Sequence, residues 1–516
     1  MVKMEGSRTK NSMRNITAGI LNKCVMLLFP FAIRTVILKI LGAEYLGLSS
    51  LFTSILQVLN MAELGFSSAV VFSMYKPIAE NDENTICALM ALYKKVYRTI
   101  GTIVLGVGLL LLPFLKNLIK GDCPGDINIY VLYIMYLFNT TVSYFLFAYK
   151  NCLLTAHQRA DITSNVLSVT QCMQYIIQII VLFAFKNYYV YFIISPVFTI
   201  ANNVIAAHYA NKLYPQYVCR GSIHKDKKNE ITKSIGGLMV QKISQVSRNS
   251  FDSIFISAFL GLTASAVYGN YYYIMSAIHG VLSVVVPAIT ASAGNSIVSE
   301  SVEKNHNDFK KINFIYLWIA GWFTICLACL YQPFMVIWVG DKLLLPIATM
   351  VLFCIYFYSN AIGDVISLYI QSAGLWWKVK YVYLLNAVSN IIMNYVLVRL
   401  YGVFGIVLAT IITGLVFGGF QLCRILYREY FKEYSFAKYL CRILLYFCVT
   451  CAVGGLTYAV CVFVGEKGLT VFIIRVIICS VLPNIMFFAI YRRTRIFNEA
   501  KGILFNALKR KVKKLK

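Results

Sequence analysis

The chain carries one hydrophobic pattern twice. Lys23, Gly42 and Pro113 are matched by Lys242, Gly261 and Pro333, at offsets of 219, 219 and 220 residues. A drift of one residue over so long a span means equal helices in equal order, so the chain has to fold as two copies of one bundle. Each copy also places a lysine inside an apolar stretch. Repeats of this length in an apolar chain imply two bundles around a central site, the architecture of membrane transporters.

With 516 residues, 59% of them hydrophobic, and a mean hydropathy of +0.70, the chain exceeds what a soluble core can bury and must use lipid as solvent. Uninterrupted apolar runs of about 20 residues predict helices rather than strands of a barrel. In the first half they fall at Ile16 to Ile40, Leu46 to Tyr75, Tyr97 to Leu118, Ile127 to Tyr149, Ile162 to Phe185 and Tyr189 to Asn211. The second half repeats them at Ser234 to Leu260, Ala266 to Ser296, Phe309 to Met335, Ile347 to Ser372, Val379 to Val398 and Val403 to Ile425. Tyr439 to Val464 and Leu469 to Tyr491 complete about fourteen. The polar stretch Met1 to Arg14, followed by a long apolar run with no small-residue cleavage site, reads as the start of a retained helix 1 rather than a signal peptide.

The fold class is therefore all-α and polytopic, with two six-helix bundles and two C-terminal helices. Residues 1–213 form the first bundle, 214–233 a basic linker, 234–430 the second bundle, 431–496 the additional helices and 497–516 a basic tail. An even number of helices returns the chain to its starting side, so the bundles are parallel repeats with a cleft between them.

A net charge of +27 in a soluble chain would point to nucleic acid. Here the charge alternates between the two sides of the predicted membrane. Lys76 to Arg98, Lys150 to Arg159, Lys212 to Lys233, Lys304 to Lys311, Arg424 to Arg442 and both termini fall on one side, which the positive-inside rule makes cytoplasmic. The opposite loops hold only scattered lysines and Arg399. The charge thus reports membrane topology, with both termini cytoplasmic, and nucleic acid is not a partner. In the tail, Leu504, Leu508, Val512 and Leu515 at helical spacing among lysines read as a surface helix on anionic lipid, with a disordered basic tail as the other reading.

Of the fifteen cysteines only Cys123 falls in an outward loop, so no disulfide framework forms. Cys326 and Cys329 make a C-x-x-C in an apolar helix without a second pair or a histidine nearby, and read as packing. No phosphate loop, zinc motif or nucleophile–base signature is present. Enzymatic chemistry has no footing, and no cofactor is implied.

What remains is a small set of charges inside predicted spans, each costly to hold there. Lys23 and Arg34 flank Pro30 in helix 1. They either snorkel to the surface or form a cationic wall for an anionic substrate, with Pro30 as a bending point. In helix 7, Lys242, Arg248 and Asp252 follow within three turns, and Arg248 and Asp252 stand i, i+4 where they can pair. Glu63 and Asp364 can each carry a coupled proton or sodium ion, or neutralise one of the cations; both readings stay open. Tyr271, Tyr272 and Tyr273 cover most of a helical circumference, so one can face a cleft and stack on sugar rings, although interfacial anchoring is the commoner fate of membrane tyrosines.

Two stretches carry a family resemblance. RTVILKILGAEYLGLSSLFTSILQVLNMAELGFSSAVV (34–71) is similar to the first helix pair of bacterial polysaccharide flippases of the Wzx type, with its LG…GL turn. FDSIFISAFLGLTASAVYGNYYYI (251–274) is similar to their seventh-helix aspartate followed by LG and a tyrosine-bearing helix. PFMVIWVGDK (333–342) and YGVFGIVLATIITGL (401–415) resemble later helix ends. This family belongs to the MOP exporter superfamily, with the lipid II flippases and the MATE exporters.

The resemblance implies alternating access and a polyprenyl-diphosphate-linked oligosaccharide moved from the cytoplasmic to the outer leaflet for capsule, exopolysaccharide or O-antigen synthesis. It gives Lys23, Arg34, Lys242 and Arg248 the diphosphate and acidic sugars to bind. Membrane lipids are partners, and polysaccharide polymerase machinery is a further partner it admits. A lipid II flippase is the alternative, and a MATE-type cation or drug antiporter fits less well because intramembrane cations outnumber carboxylates.

Overall fold

The computed structural model describes residues 2–502 except 64, 65, 122, 224, 466 and 467. The tail beyond 502, read above as a surface helix, lies outside the described residues. The described chain is all-helical and divides into two compact units, Met1–Ala266 and Val267–Lys516.

The first unit contains α1 (Val2–Ile40), α2 (Ala43–Leu59), α3 (Phe66–Glu80), α4 (Glu83–Leu110), α5 (Ile129–Phe145), α6 (Asn151–Ala156), α7 (Ala160–Phe185), α8 (Tyr188–Leu213) and α9 (Lys225–Leu260). Helix α10 (Leu262–Leu282) begins there and continues into the second unit. That unit holds α11 (Val286–Ser299), α12 (Val302–Val339), α13 (Ile347–Ser372), α14 (Trp376–Thr413), α15 (Leu422–Glu429), α16 (Phe436–Phe463) and α17 (Leu469–Tyr491). Among the described residues, eight helical stretches are long and apolar enough to cross a membrane, and ten if each of two bent pairs is one span. The protein is a polytopic membrane protein. On α7, Val169, Met173, Ile176, Ile180 and Phe183 form an exposed apolar stripe, which only lipid can cover at no cost.

The repeat is visible in local structure. Gly42 and Gly261 both take positive φ, 118° and 93°, at the turns before α2 and α10, where a side chain would be strained. Asp82 caps α4 by accepting from the Thr85 N–H at 3.0 Å, and Ser301, 219 residues later, caps α12 by accepting from Lys304 at 3.3 Å.

Several predicted spans are not single straight helices. Helix 2 breaks at a 3-10 turn, Asn60–Glu63, and helix 8 breaks at another, Ser283–Val285. In the second case Pro287 has no N–H to bond the Ser283 carbonyl, so the α-helical ladder is interrupted there. The prolines of the repeat also part company. Pro113 opens a short 3-10 segment, Leu112–Leu118, bent 61° from α4, whereas Pro333 is absorbed inside α12. Helices 11 and 12 run on as α14 through a kink at Gly402 (φ 57°) and continue as a π-helical stretch, Gly414–Gln421.

Candidate functional site

The break in helix 2 positions the first acid, Glu63, which is half-buried. Glu63 ends the 3-10 turn, and two tyrosines from neighbouring helices donate to its two oxygens. Tyr97 of α4 donates to Oε1, and Tyr144 of α5 donates to Oε2 at 2.6 Å. Tyr93 donates to the Tyr97 oxygen at 2.8 Å. The Tyr144 hydroxyl also lies 3.1 Å from the Asn60 amide. A phenol has one proton, so Glu63 Oε2 and Asn60 Oδ1 share it as alternative acceptors, with Glu63 the nearer. The rings pack edge to face, with Tyr93 and Tyr97 centroids 4.4 Å apart.

This network lines a cavity of about 850 Å³, shared with Ser67, Asn139, Ser143 and Thr199. Hydroxyls and amides surrounding a carboxylate replace the water that an acid at membrane depth would otherwise lack. Chemically the arrangement can hold a proton or a small cation on Glu63.

The second unit builds the corresponding node. Asp364 on α13 is contacted through Oδ2 by His279 Nε2 of α10 at 2.9 Å and by the Tyr316 hydroxyl of α12 at 2.7 Å. The partners obey the sequence repeat. Tyr97 and Tyr316 are 219 residues apart, Asn60 and His279 also 219, and Tyr144 and Asp364 220. Sequence reasoning identified the two acids but missed His279 and the tyrosines, although the same offset that matched Lys23 with Lys242 would have found them.

The four candidate cations all lie in the first unit. Lys23 on α1 and Lys242 on α9 are exposed, and Arg34 and Arg248 are half-buried. Arg34 acts electrostatically on Tyr188 and Tyr191 of α8. Asp252, one turn after Arg248, is fully buried. Helix α9 packs on α2, where the Ser250 hydroxyl donates to Gln57 Oε1 at 3.2 Å. Of the three consecutive tyrosines, Tyr271 is buried in the second unit. It donates to Gln332 Oε1 at 2.5 Å and accepts from the Leu345 N–H at 3.2 Å, which commits its ring to the core. Tyr272 and Tyr273 are half-buried.

No family model and no curated protein matches the chain in sequence. Solved structures do match in fold. The lipid II flippase MurJ in an inward closed conformation has a TM-score of 0.65 at 17% identity, covering 94% of this chain and 99% of that one. An inward-facing multidrug resistance MATE family transporter of the MOP superfamily has a TM-score of 0.61 at 16% identity, covering 79% and 96%. The bent form of the Vibrio cholerae MATE transporter VcmN has a TM-score of 0.53 at 13% identity, covering 83% and 98%. The chain has the fold these flippase and exporter structures share.

Proposed function

We propose that this chain is a transporter of the flippase kind, moving a polyprenyl-diphosphate-linked oligosaccharide from the cytoplasmic to the outer leaflet of a bacterial cytoplasmic membrane. The observation that carries the reading is the exposure of Lys23 and Lys242 at equivalent positions of α1 and α9. A lysine side chain left uncovered inside an apolar helix has to meet water or an anion. A diphosphate cannot enter hydrocarbon without a replacement for its hydration. Lys23 and Lys242, with Arg34 and Arg248 further along the same two helices, supply it, while the polyprenyl tail stays in lipid. Tyr272 and Tyr273 are the rings assigned to the sugars, and Glu63 and Asp364 the acids assigned to a coupled proton or sodium ion.

Lipid II is the second reading. It is favoured by the MurJ match, which covers 94% of this chain where the MATE transporter covers 79%. Reconstitution in vesicles separates the two. Outward movement of a labelled polyprenyl-diphosphate oligosaccharide, lost in Lys23→Ala with Lys242→Ala, supports the first reading. Movement of lipid II alone transfers the assignment to the second, and movement of neither removes both.

A further inference from the structure

Three cysteines distant in sequence meet inside the second unit. Cys329 of α12, Cys461 of α16 and Cys479 of α17 are each buried, and their sulfurs all lie within 4.8 Å of one another. Cys461 and Cys479 Sγ are 3.7 Å apart. Cys326 takes no part; its thiol turns to the Cys479 carbonyl at 3.5 Å, so the C-x-x-C spacing is not what builds the cluster. One turn before Cys479, on the same face of α17, stands Arg475. It is 3% exposed, and among the described residues its Nε and Nη2 have no hydrogen-bond partner. The guanidinium acts electrostatically on both Cys461 and Cys479. A buried cation with unsatisfied donors beside three thiols calls for negative charge there.

We propose that Cys329, Cys461 and Cys479 bind one soft monovalent d10 cation of the Cu(I) class, with Arg475 balancing the charge of the thiolate complex. Sulfur donors select soft ions, and zinc fits less well because its structural sites want four ligands while this cluster offers three. Three sulfurs at about 2.3 Å around an ion in one plane stand about 4.0 Å apart, a spacing these three sulfurs reach with sub-ångström adjustment. The charges also close. Binding Cu(I) through two thiolates and one thiol releases two protons and leaves a complex of charge −1, which the Arg475 cation neutralises in apolar surroundings. A Cys461–Cys479 disulfide would consume two donors and leave the guanidinium without an anion. The ion would tie α16 and α17, the helices outside the repeat, to α12 of the second bundle.

The test is anaerobic titration of the purified full-length chain with Cu(I) against bathocuproine disulfonate. One tightly held Cu(I) per chain is expected, with sulfur neighbours at about 2.3 Å in X-ray absorption. Cys461→Ser and Cys479→Ser should abolish tight binding, and Arg475→Met should weaken it about 10- to 100-fold. Cys448→Ser, at an exposed position of α16, should leave it intact. Thermal unfolding gives a second readout, with Cu(I) raising the transition in wild type and Cys448→Ser but not in the Cys329, Cys461 and Cys479 triple serine variant. Equal binding by wild type and triple variant overturns the proposal. So does nitrogen or oxygen ligation in the wild-type spectrum, which decides the matter even where the variants do not fold. A chain isolated with a Cys461–Cys479 disulfide that takes up no Cu(I) after reduction overturns it as well.

Discussion

Gly47 offers a direct test of how the first unit moves. It lies on α2, and a Cβ added there would sit 2.1 Å from the Leu262 carbonyl oxygen, 2.7 Å from its carbon and 2.9 Å from its Cα. All three atoms are backbone, so no rotamer change relieves the clash. Since a carbon–oxygen contact needs about 3.3 Å, the start of α10 must withdraw by about 1.2 Å. Overpacking of this kind costs about 1–3 kcal/mol. If the contact belongs to one state of an alternating cycle, that cost is a population shift of about 5- to 150-fold away from it. The same region is pinned by the Lys120 N–H donating to the Ser257 carbonyl at 3.0 Å, and Cys123 and Leu262 share one core cluster. Cys123, half-buried, is therefore the reporter. Gly47→Ala should raise its labelling rate by an impermeant maleimide and depress transport, whereas Gly106→Ala, with open space at its Cβ, should change neither. Unchanged labelling and transport in Gly47→Ala would refute the reasoning, because the contact would then not distinguish states.

Four further outcomes are expected. In intact cells Cys123 should label from outside and Cys219 only after permeabilisation; burial pushes the Cys219 thiol above its ordinary range, so its labelling near pH 8 should be slow and should rise as the pH is raised. Arg34→Ala and Lys242→Ala should abolish surface polysaccharide at normal membrane abundance, with only partial rescue by Arg34→Lys because the planar fork is lost; wild-type polysaccharide in Arg34→Ala would make that residue a snorkelling one. Arg248→Met combined with Asp252→Leu should remain inactive though folded, and a fully active double variant in a vesicle assay would reduce Asp252 to an ion-pair partner. Tyr97→Phe and Tyr316→Phe each remove a hydrogen bond to a carboxylate, worth about 1.5–3 kcal/mol, so each should slow transport about 10-fold or more; parallel losses would support equivalent roles in the two units, and an unaffected rate in either would exclude that half.

The bundle architecture was legible because it rests on hydropathy and on a repeat, both of which survive in composition and spacing. Gly42 and Gly261 sit at the predicted turns because only a residue without Cβ tolerates their φ. The helix breaks were harder to read. Pro113 bends its segment and Pro333 does not, although both look alike in sequence, because tertiary packing decides whether a proline ends a helix. The acids were visible as isolated charges in apolar runs, but their partners are tyrosines from other helices, and tyrosine is too common here, with 36 in the chain, to single out without a contact. Likewise the C-x-x-C drew attention to Cys326, while the cluster joins Cys329 to two residues more than a hundred positions later.

The two acid nodes also show how the repeat has diverged between the units. The repeat keeps a tyrosine in place, Tyr97 in one unit and Tyr316 in the other, yet moves the carboxylate from the broken segment of helix 2 to the middle of helix 10. Where the first unit has Tyr144, the second has Asp364, and where the first has Asn60, the second has His279. A tyrosine donor is thus retained while the position of the acid and its second partner differ. Glu63 is held by two phenols, which are neutral donors, at the wall of the adjoining cavity. Asp364 instead meets an imidazole and one phenol, His279 Nε2 and the Tyr316 hydroxyl, both at Oδ2. The two acids therefore meet unequal partners, and removing the shared tyrosine leaves Glu63 a phenol and Asp364 an imidazole.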